Sequence, residues 1–439
     1  MNPRGYPCAA HVLCCVAAVF CLSLAACELE RVPGPATPVP LPQPRFFEPP
    51  TAIPSVDTEC LTEALEATVQ VPRNDAQALL NAVFGARPGE VIELEGGAYY
   101  LPDFAEEPAL SIFEPGVTLR GAGDSAADTV IDGSGTTKTL LGIYSSSVRV
   151  ENLTVQNADV LIVIDGSSQD ASNAQLLRVH ALDMREAGIR VLSGGGRSAD
   201  GFVIGCTHIG ASRQLSTRLE SEPVGVTVEG VRYGAILGNT IESRLNTNLG
   251  LTGIRILGGS RDIRVARNLV SGAEAAVQIG LVEESLEPRR SYDDELDSGC
   301  ANLEVIDSSS VRLCSNFIVA EGVPGARGID VVNSCAISIH HTTIVVDDNQ
   351  SSLSAAFAEA EWVNNAFSGD AVVLDSAALT RDDANTAVSL ADFVDPETGR
   401  WDTSVIAPQT VDAGVAMADC AIDLVGSPRD DPPNIGAVE

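Results

Sequence analysis

The sequence predicts an all-β solenoid, a single-stranded parallel β-helix closed at its start by one short capping helix. Two repeated strand patterns and a turn-rich composition lead to this reading. One pattern recurs as Gly188-Ile189-Arg190-Val191, Gly225-Val226-Thr227-Val228, Gly253-Ile254-Arg255-Ile256, Val277-Gln278-Ile279 and Gly328-Ile329-Asp330-Val331. A second recurs as AILGNTI, RVARNLV, RLCSNFI and SIHHTTI, with Asn239, Asn268, Asn316 and Thr342 in register. The matching positions lie about 29, 48 and 26 residues apart, and a period in the twenties built of short strands and turns marks a solenoid. The chain has 39 Gly and 24 Pro against 4% aromatic residues, which suits many short strands and turns better than helices. Leucine-rich repeats are the main rival, but their Leu-x-x-Leu-x-Leu spacing is absent.

Within this frame Ile189, Val226, Ile254, Val277 and Ile329 point inward and stack. The asparagine column is expected to occupy left-handed turn positions and to hydrogen-bond from coil to coil. The 48-residue step contains an inserted loop of roughly one coil, about 281–300.

The N-terminus reads as a targeting signal. An apolar run from Val12 to Ala25 is too short to span a bilayer and fits the core of a signal peptide. It ends in Leu24-Ala25-Ala26-Cys27, which resembles a bacterial lipobox. That resemblance implies cleavage after residue 26, lipid on Cys27 and location in the bacterial envelope, on the outer membrane or cell surface. Lipid would then be the only membrane attachment, because no other segment approaches 18 consecutive apolar residues. Residues 27–55 form a proline-rich tether, semi-rigid and extended. The β-helix domain takes up residues 56–439.

A helix is expected at about 74–85, with Asn74 as its cap and Gln77 in the capping-box position. Leu79, Leu80, Val83 and Phe84 would form its apolar face, and Gly85 would end it. The run ARPGEVIELEGGAYYL, then PGVTLRGAG, then TVIDGSG follows it. This succession resembles the opening of the pectin-lyase-like proteins, and the resemblance implies a right-handed parallel β-helix whose first coil is covered by the helix. The C-terminal TVDAGVA, Asp423, the Pro428-Arg429 pair and NIGAVE resemble the closing segment of extracellular β-helix proteins. These motifs specify a fold and not a reaction.

Charge and cysteine content narrow the partners. The chain has 27 basic and 60 acidic residues, a formal charge of −33, and no basic run, so nucleic acid is a poor partner. Past Cys27 there remain Cys60, Cys206, Cys300, Cys314, Cys335 and Cys420, an even set compatible with disulfides in an oxidising compartment, with the pairing left open. No CxxC pair follows the signal, which argues against a zinc ribbon or a thioredoxin-type site.

Enzymes of the resembled family that cleave acidic polysaccharides use recognisable sets, none of which transfers. A lysine base on the middle coils is missing, because the sole lysine, Lys138, lies in an early coil. The W-x-D-H run of pectate lyases is missing, as are the Gly-His-Gly and Arg-x-Lys motifs of polygalacturonases. Asn246-Thr247-Asn248 echoes only their first motif faintly.

What remains is geometric. Strand alternation places Arg190, Thr227, Glu229, Arg255, Gln278 and Asp330 outward on one sheet, stacked coil over coil. Such a ladder suits an extended sugar chain, through charge-assisted hydrogen bonds; an ordinary solvated face is the plainer alternative. The insertion gathers Glu283, Glu284, Glu287, Asp293, Asp294, Glu295 and Asp297 with Arg289, Arg290 and Tyr292, a group that reads as a solvated loop or a lid. No cofactor is expected. Calcium is the one cation these oxygens would suit, although the spacing of a calcium loop is lacking. His180, His208, His340 and His341 read as structural, and adjacent His340 and His341 face opposite ways.

Two functions stay open at this level. One is a lipid-anchored surface protein that binds polysaccharide without cleaving it, or that has an envelope role. The other is a polysaccharide lyase or glycoside hydrolase acting on an acidic polysaccharide, with Arg190 or Arg255 neutralising charge or taking a proton and Glu229 or Asp330 as acid or metal partner.

Overall fold

The computed structural model describes residues 65–101, 108–194, 197–211, 222–243, 251–280, 308–320, 325–347, 349–388 and 408–438. The signal, Cys27, the tether, the insertion, Asn246-Thr247-Asn248, Cys60 and Cys300 lie outside them.

Each coil places three strands on three faces. A representative coil runs through Ala235–Leu237 on the first face, Thr240–Ser243 on the second and Thr252–Leu257 on the third. The first face is a sheet of twelve strands running from Val69–Val71 to Ala378–Asp383. Its pairings are parallel throughout, as are those of the other two faces. In the early coils one long strand turns the corner between the second and third faces, as in Thr154–Asp165 and His180–Leu192.

The inward column follows the expected register. Ile189 pairs with Val226, Val226 with Ile254, Ile254 with Val277 and Val277 with Ile329, and all five are at most 1% exposed. The glycine that opens this repeat has a steric cause. A Cβ on Gly225 would lie 2.5 Å from the Gly253 carbonyl and 2.9 Å from Ile241 Cγ2, at the corner where the second face meets the third. Successive coils approach too closely there for a side chain.

The asparagine ladder forms between the first and second faces. Asn239 Nδ2 donates to Asn268 Oδ1 at 2.9 Å, and Asn268 Nδ2 donates to Asn316 Oδ1 at 3.0 Å. Thr342 N donates to Asn365 Oδ1, and Asn365 Nδ2 to Asn385 Oδ1. The left-handed positions differ from expectation. They fall one residue earlier, at Gly238, Arg267, Ser315, His341, Asn364 and Ala384. The preceding residue makes the turn, and the asparagine enters the helix interior to bind carbonyls such as Ile204 O and Ile236 O.

The capping helix spans Ala76–Phe84 and ends at Gly85. Its N-cap is Asp75 rather than Asn74: Asp75 Oδ1 accepts from Ala78 N at 2.8 Å. Asn74 sits at φ 59°, outside the extended region an N-cap requires, and its Oδ1 accepts from Ala98 N instead. Gln77 makes no capping box and donates to Asn81. Leu79, Leu80 and Val83 are buried, but Phe84 is 67% exposed and leaves the apolar face.

The C-terminal segment folds back along the second face. Ile435, Ala437 and Val438 cover Phe317, Val319, Val345 and Ala366. Cys420 is bonded to Cys314, and Cys206 and Cys335 are disulfide-bonded too. Asp423 is fully buried and accepts from Val425 N and Ser427 N. Arg429 Nη2 donates to Ser315 Oγ and to the carbonyls of Gly436 and Ala437, each at 3.0 Å. Arg429 therefore ties the tail to the coils through Ser315, while Asp423 orders the tail's own turn.

Candidate functional site

On the third face the outward column is continuous. Arg190 pairs with Thr227, Thr227 with Arg255, Arg255 with Gln278, Gln278 with Asp330 and Asp330 with Ser354. Gly142 and Val163 precede this polar block and Val373 follows it. Glu229 lies two residues farther along its strand than Thr227, in a parallel column between Leu192 and Leu257.

Arg255 is the centre of the strip. Its Nε donates to Gln278 Oε1 at 2.7 Å and its Nη2 to Thr252 Oγ1 at 3.0 Å, with Glu222 Oε2 at 3.6 Å. Thr252 Oγ1 donates in turn to Glu222 Oε1. Burial lowers the Arg255 pKa, against the opposing pull of the Glu222 and Glu229 carboxylates. Desolvation of the guanidinium wins because the side chain is mostly covered.

Asp330 is 4% exposed and accepts from Arg327 Nη1 at 2.8 Å. Arg190 pairs with Glu186 at 3.2 Å at a more open site. Thr227 is buried between the Arg190 and Arg255 positions. The strip is thus a set of oriented amide, hydroxyl and guanidinium donors with paired charges, suited to hydroxyl-rich ligands.

Thr252, Arg327 and Glu222 join this group unpredicted. Thr252 and Arg327 stand three residues before Arg255 and Asp330, where simple alternation would put them on the other face. The corner glycine between them shifts the phase and returns them to the outer side. The repeated Gly one residue after Thr252 and Arg327 was the available signal.

The histidines form no common centre. His208 Nε2 lies 3.0 Å from Glu242 Oε1, and the His180 and His208 rings meet edge-on at 5.5 Å. His180 opens on a cavity of about 410 Å³ with Asp124, Ser125, Arg178 and Cys206. His340 Nε2 meets Glu361, whereas His341 lies between Asn434 O and Asn364 Nδ2, so the neighbours do face apart. Among the described residues no group of three or more His, Cys, Asp or Glu is placed to hold a metal ion, and no helix is long and apolar enough to cross a membrane. Lys138 is exposed in the early strand Thr129–Ile143.

No family model matches the chain, and no curated protein matches it. Solved structures are similar in fold. Pectate lyase Pel9A superposes with a TM-score of 0.50 at 14% identity, over 82% of this chain and 90% of that one. An alginate lyase from Paenibacillus sp. str. FPU-7 gives 0.48 at 16% identity, over 70% of this chain and all of that one. The PL6 family polysaccharide lyase Pedsa3628 from Pseudopedobacter saltans gives 0.44 at 12%, over 78% of this chain and 88% of that one. With its parallel three-faced coils and capping helix, the chain is a right-handed parallel β-helix protein of the pectate-lyase-like architecture.

Proposed function

We propose that this chain is a non-catalytic polysaccharide-binding protein of the bacterial envelope, anchored by lipid on Cys27. The observation that carries the reading is the unbroken outward column from Arg190 to Asp330. Its polar groups repeat at the spacing of parallel strands, about 4.8 Å, and lie along one line on the sheet. An extended sugar chain laid on that line meets a polar group at every coil. The Cys314–Cys420 bond supports an oxidising compartment, and the formal charge of −33 argues against nucleic acid.

A lyase is the second reading, favoured by the lowered pKa of Arg255. It asks Arg255 to take a proton from the sugar carbon beside a carboxylate, while Gln278, Thr252 and Glu222 already hold the guanidinium.

Incubating the full-length chain with acidic and neutral polysaccharides, with and without calcium, separates the two. Retention without cleavage, weakened by Arg255→Ala, supports binding. Unsaturated products absorbing in the ultraviolet, lost in the same variant, would establish the lyase instead. No retention and no product on any polysaccharide would remove both.

A further inference from the structure

Beyond the N-terminal end of the polar strip, the third face carries two aromatic rings that lie outside the buried core. Ser111 pairs with Gly142 and Ile112 with Ile143, so Phe113 and Tyr144 follow at matching positions of adjacent coils. Tyr144 N donates to Ile112 O, which continues the ladder by one residue. The rings stack with centroids 5.2 Å apart and planes 17° from parallel. Phe113 is 46% exposed and Tyr144 is part-buried.

The same outward column continues through Asp165, Leu192, Glu229 and Leu257, beside the strip. Gly142 makes room for the arrangement. A Cβ there would lie 2.5 Å from the Tyr144 ring and 2.6 Å from Pro108 Cγ. The ring therefore leans over the strip's own column, at the position just before Val163.

Charge defines the ligand more closely. Each described guanidinium of the strip already faces a carboxylate: Arg190 faces Glu186, Arg255 faces Glu222 and Arg327 faces Asp330. A uronic acid chain brings one carboxylate per sugar to a protein of charge −33 and finds these cations already countered. A neutral chain brings hydroxyls for the strip and an apolar ring face for the aromatic pair.

We infer that Phe113 and Tyr144 form a stacking subsite for an uncharged pyranose ring, at one end of the strip proposed above, and that the ligand is a neutral polysaccharide. The inference rests on the strip reading. Tyr144 and Arg255 stand four strand steps apart, about 19 Å, so one ligand must be several sugars long to meet both.

The test is calorimetric titration of the full-length chain with neutral linear hexasaccharides of glucose, mannose and xylose, with their disaccharides, and with polygalacturonate. A hexasaccharide should bind more tightly than its disaccharide and more tightly than polygalacturonate. Phe113→Ala and Tyr144→Ala should each weaken it about tenfold, while Phe113→Tyr and Tyr144→Phe, which keep the rings, bind as the parent. Unchanged thermal unfolding of the variants separates a lost contact from a lost fold. Preference for polygalacturonate would overturn the neutral class. Weakening by Arg255→Ala without any effect of Phe113→Ala or Tyr144→Ala would overturn the subsite and leave the strip standing. Indifference to all three alanine variants would remove strip and subsite together.

Discussion

The guanidinium of Arg255 and the amide of Gln278 are joined across one coil step, Nε donating to Oε1 at 2.7 Å. The bond fixes the amide with its NH₂ group as the remaining donor and holds the guanidinium plane in one orientation. Arg255→Lys should therefore fail to restore ligand binding, because an ammonium is a point charge without the planar fork. Gln278→Glu should bind better than Gln278→Leu, since a carboxylate still accepts from Nε. Affinity measured on one retained glycan checks both, and equal affinity of the Lys variant and the parent would show that charge alone matters.

Asn268 is fully buried, and its side chain makes four hydrogen bonds to three residues. It accepts from Asn239 N and Nδ2 and donates to Asn316 Oδ1 and Ile236 O. Asn268→Ala strands several buried polar groups at once, each with a desolvation penalty, and should lower stability by roughly 2–3 kcal/mol. Ser271→Ala, on the same coil but half-buried, serves as the control. Urea denaturation midpoints decide the point; similar losses for the two would mean that the ladder contributes little.

Much of this was legible beforehand, because period and alternation are local properties. The register of Ile189 through Ile329 follows from the repeated strand alone, as does the outward set from Arg190 to Asp330. Three features were hidden for physical reasons. The glycine corner shifts the phase of Thr252 and Arg327, so counting by twos misplaces them. The left-handed residue precedes each asparagine, because the asparagine side chain is needed inside. Phe113 and Tyr144 were visible as Ile112-Phe113 and Ile143-Tyr144 before matching turns, but a stack emerges only once the coils are placed in register.

Tyr99 gives a signature at alkaline pH. Its hydroxyl donates to Glu95 O at 2.8 Å, and burial, with the Glu95 carboxylate second, raises its pKa to about 12. The unfolded chain releases that proton near the ordinary value of 10.0. Between the two values the native state binds the extra proton, so stability present below pH 10 falls as pH rises toward 12. Tyr99→Phe should flatten this part of the stability profile. Equal slopes for variant and parent would show that the hydroxyl titrates freely.

His180 acts at the acid end. Burial, and next the His208 ring, lower its pKa below the ordinary 6.5. Below pH 6.5 the unfolded chain binds the proton that the native site resists. Stability is therefore full above 6.5, is lost as pH falls through that value, and stops changing once the folded site is also protonated. The slope of the denaturation midpoint between pH about 7.5 and about 5.5 should be shallower in His180→Gln. An unchanged slope would assign the acid sensitivity to other groups.

The bond between Cys314 and Cys420 closes 106 residues of chain and pins the returning tail beside the Arg429–Ser315 contact. Cross-linking so long a loop restricts the unfolded chain, and losing such a bond typically lowers stability by about 2–5 kcal/mol. The native consequence is more specific. The tail covers Phe317, Val319 and Val345, whereas the strip and the Phe113–Tyr144 pair lie on another face. Cys314→Ser with Cys420→Ser should therefore lower the unfolding temperature and raise amide exchange at 420–438, while glycan affinity stays that of the parent at temperatures where the variant is folded. If affinity fell in step with exchange at the tail, the tail and the binding face would be coupled, and the third face could not be treated as an independent rigid platform.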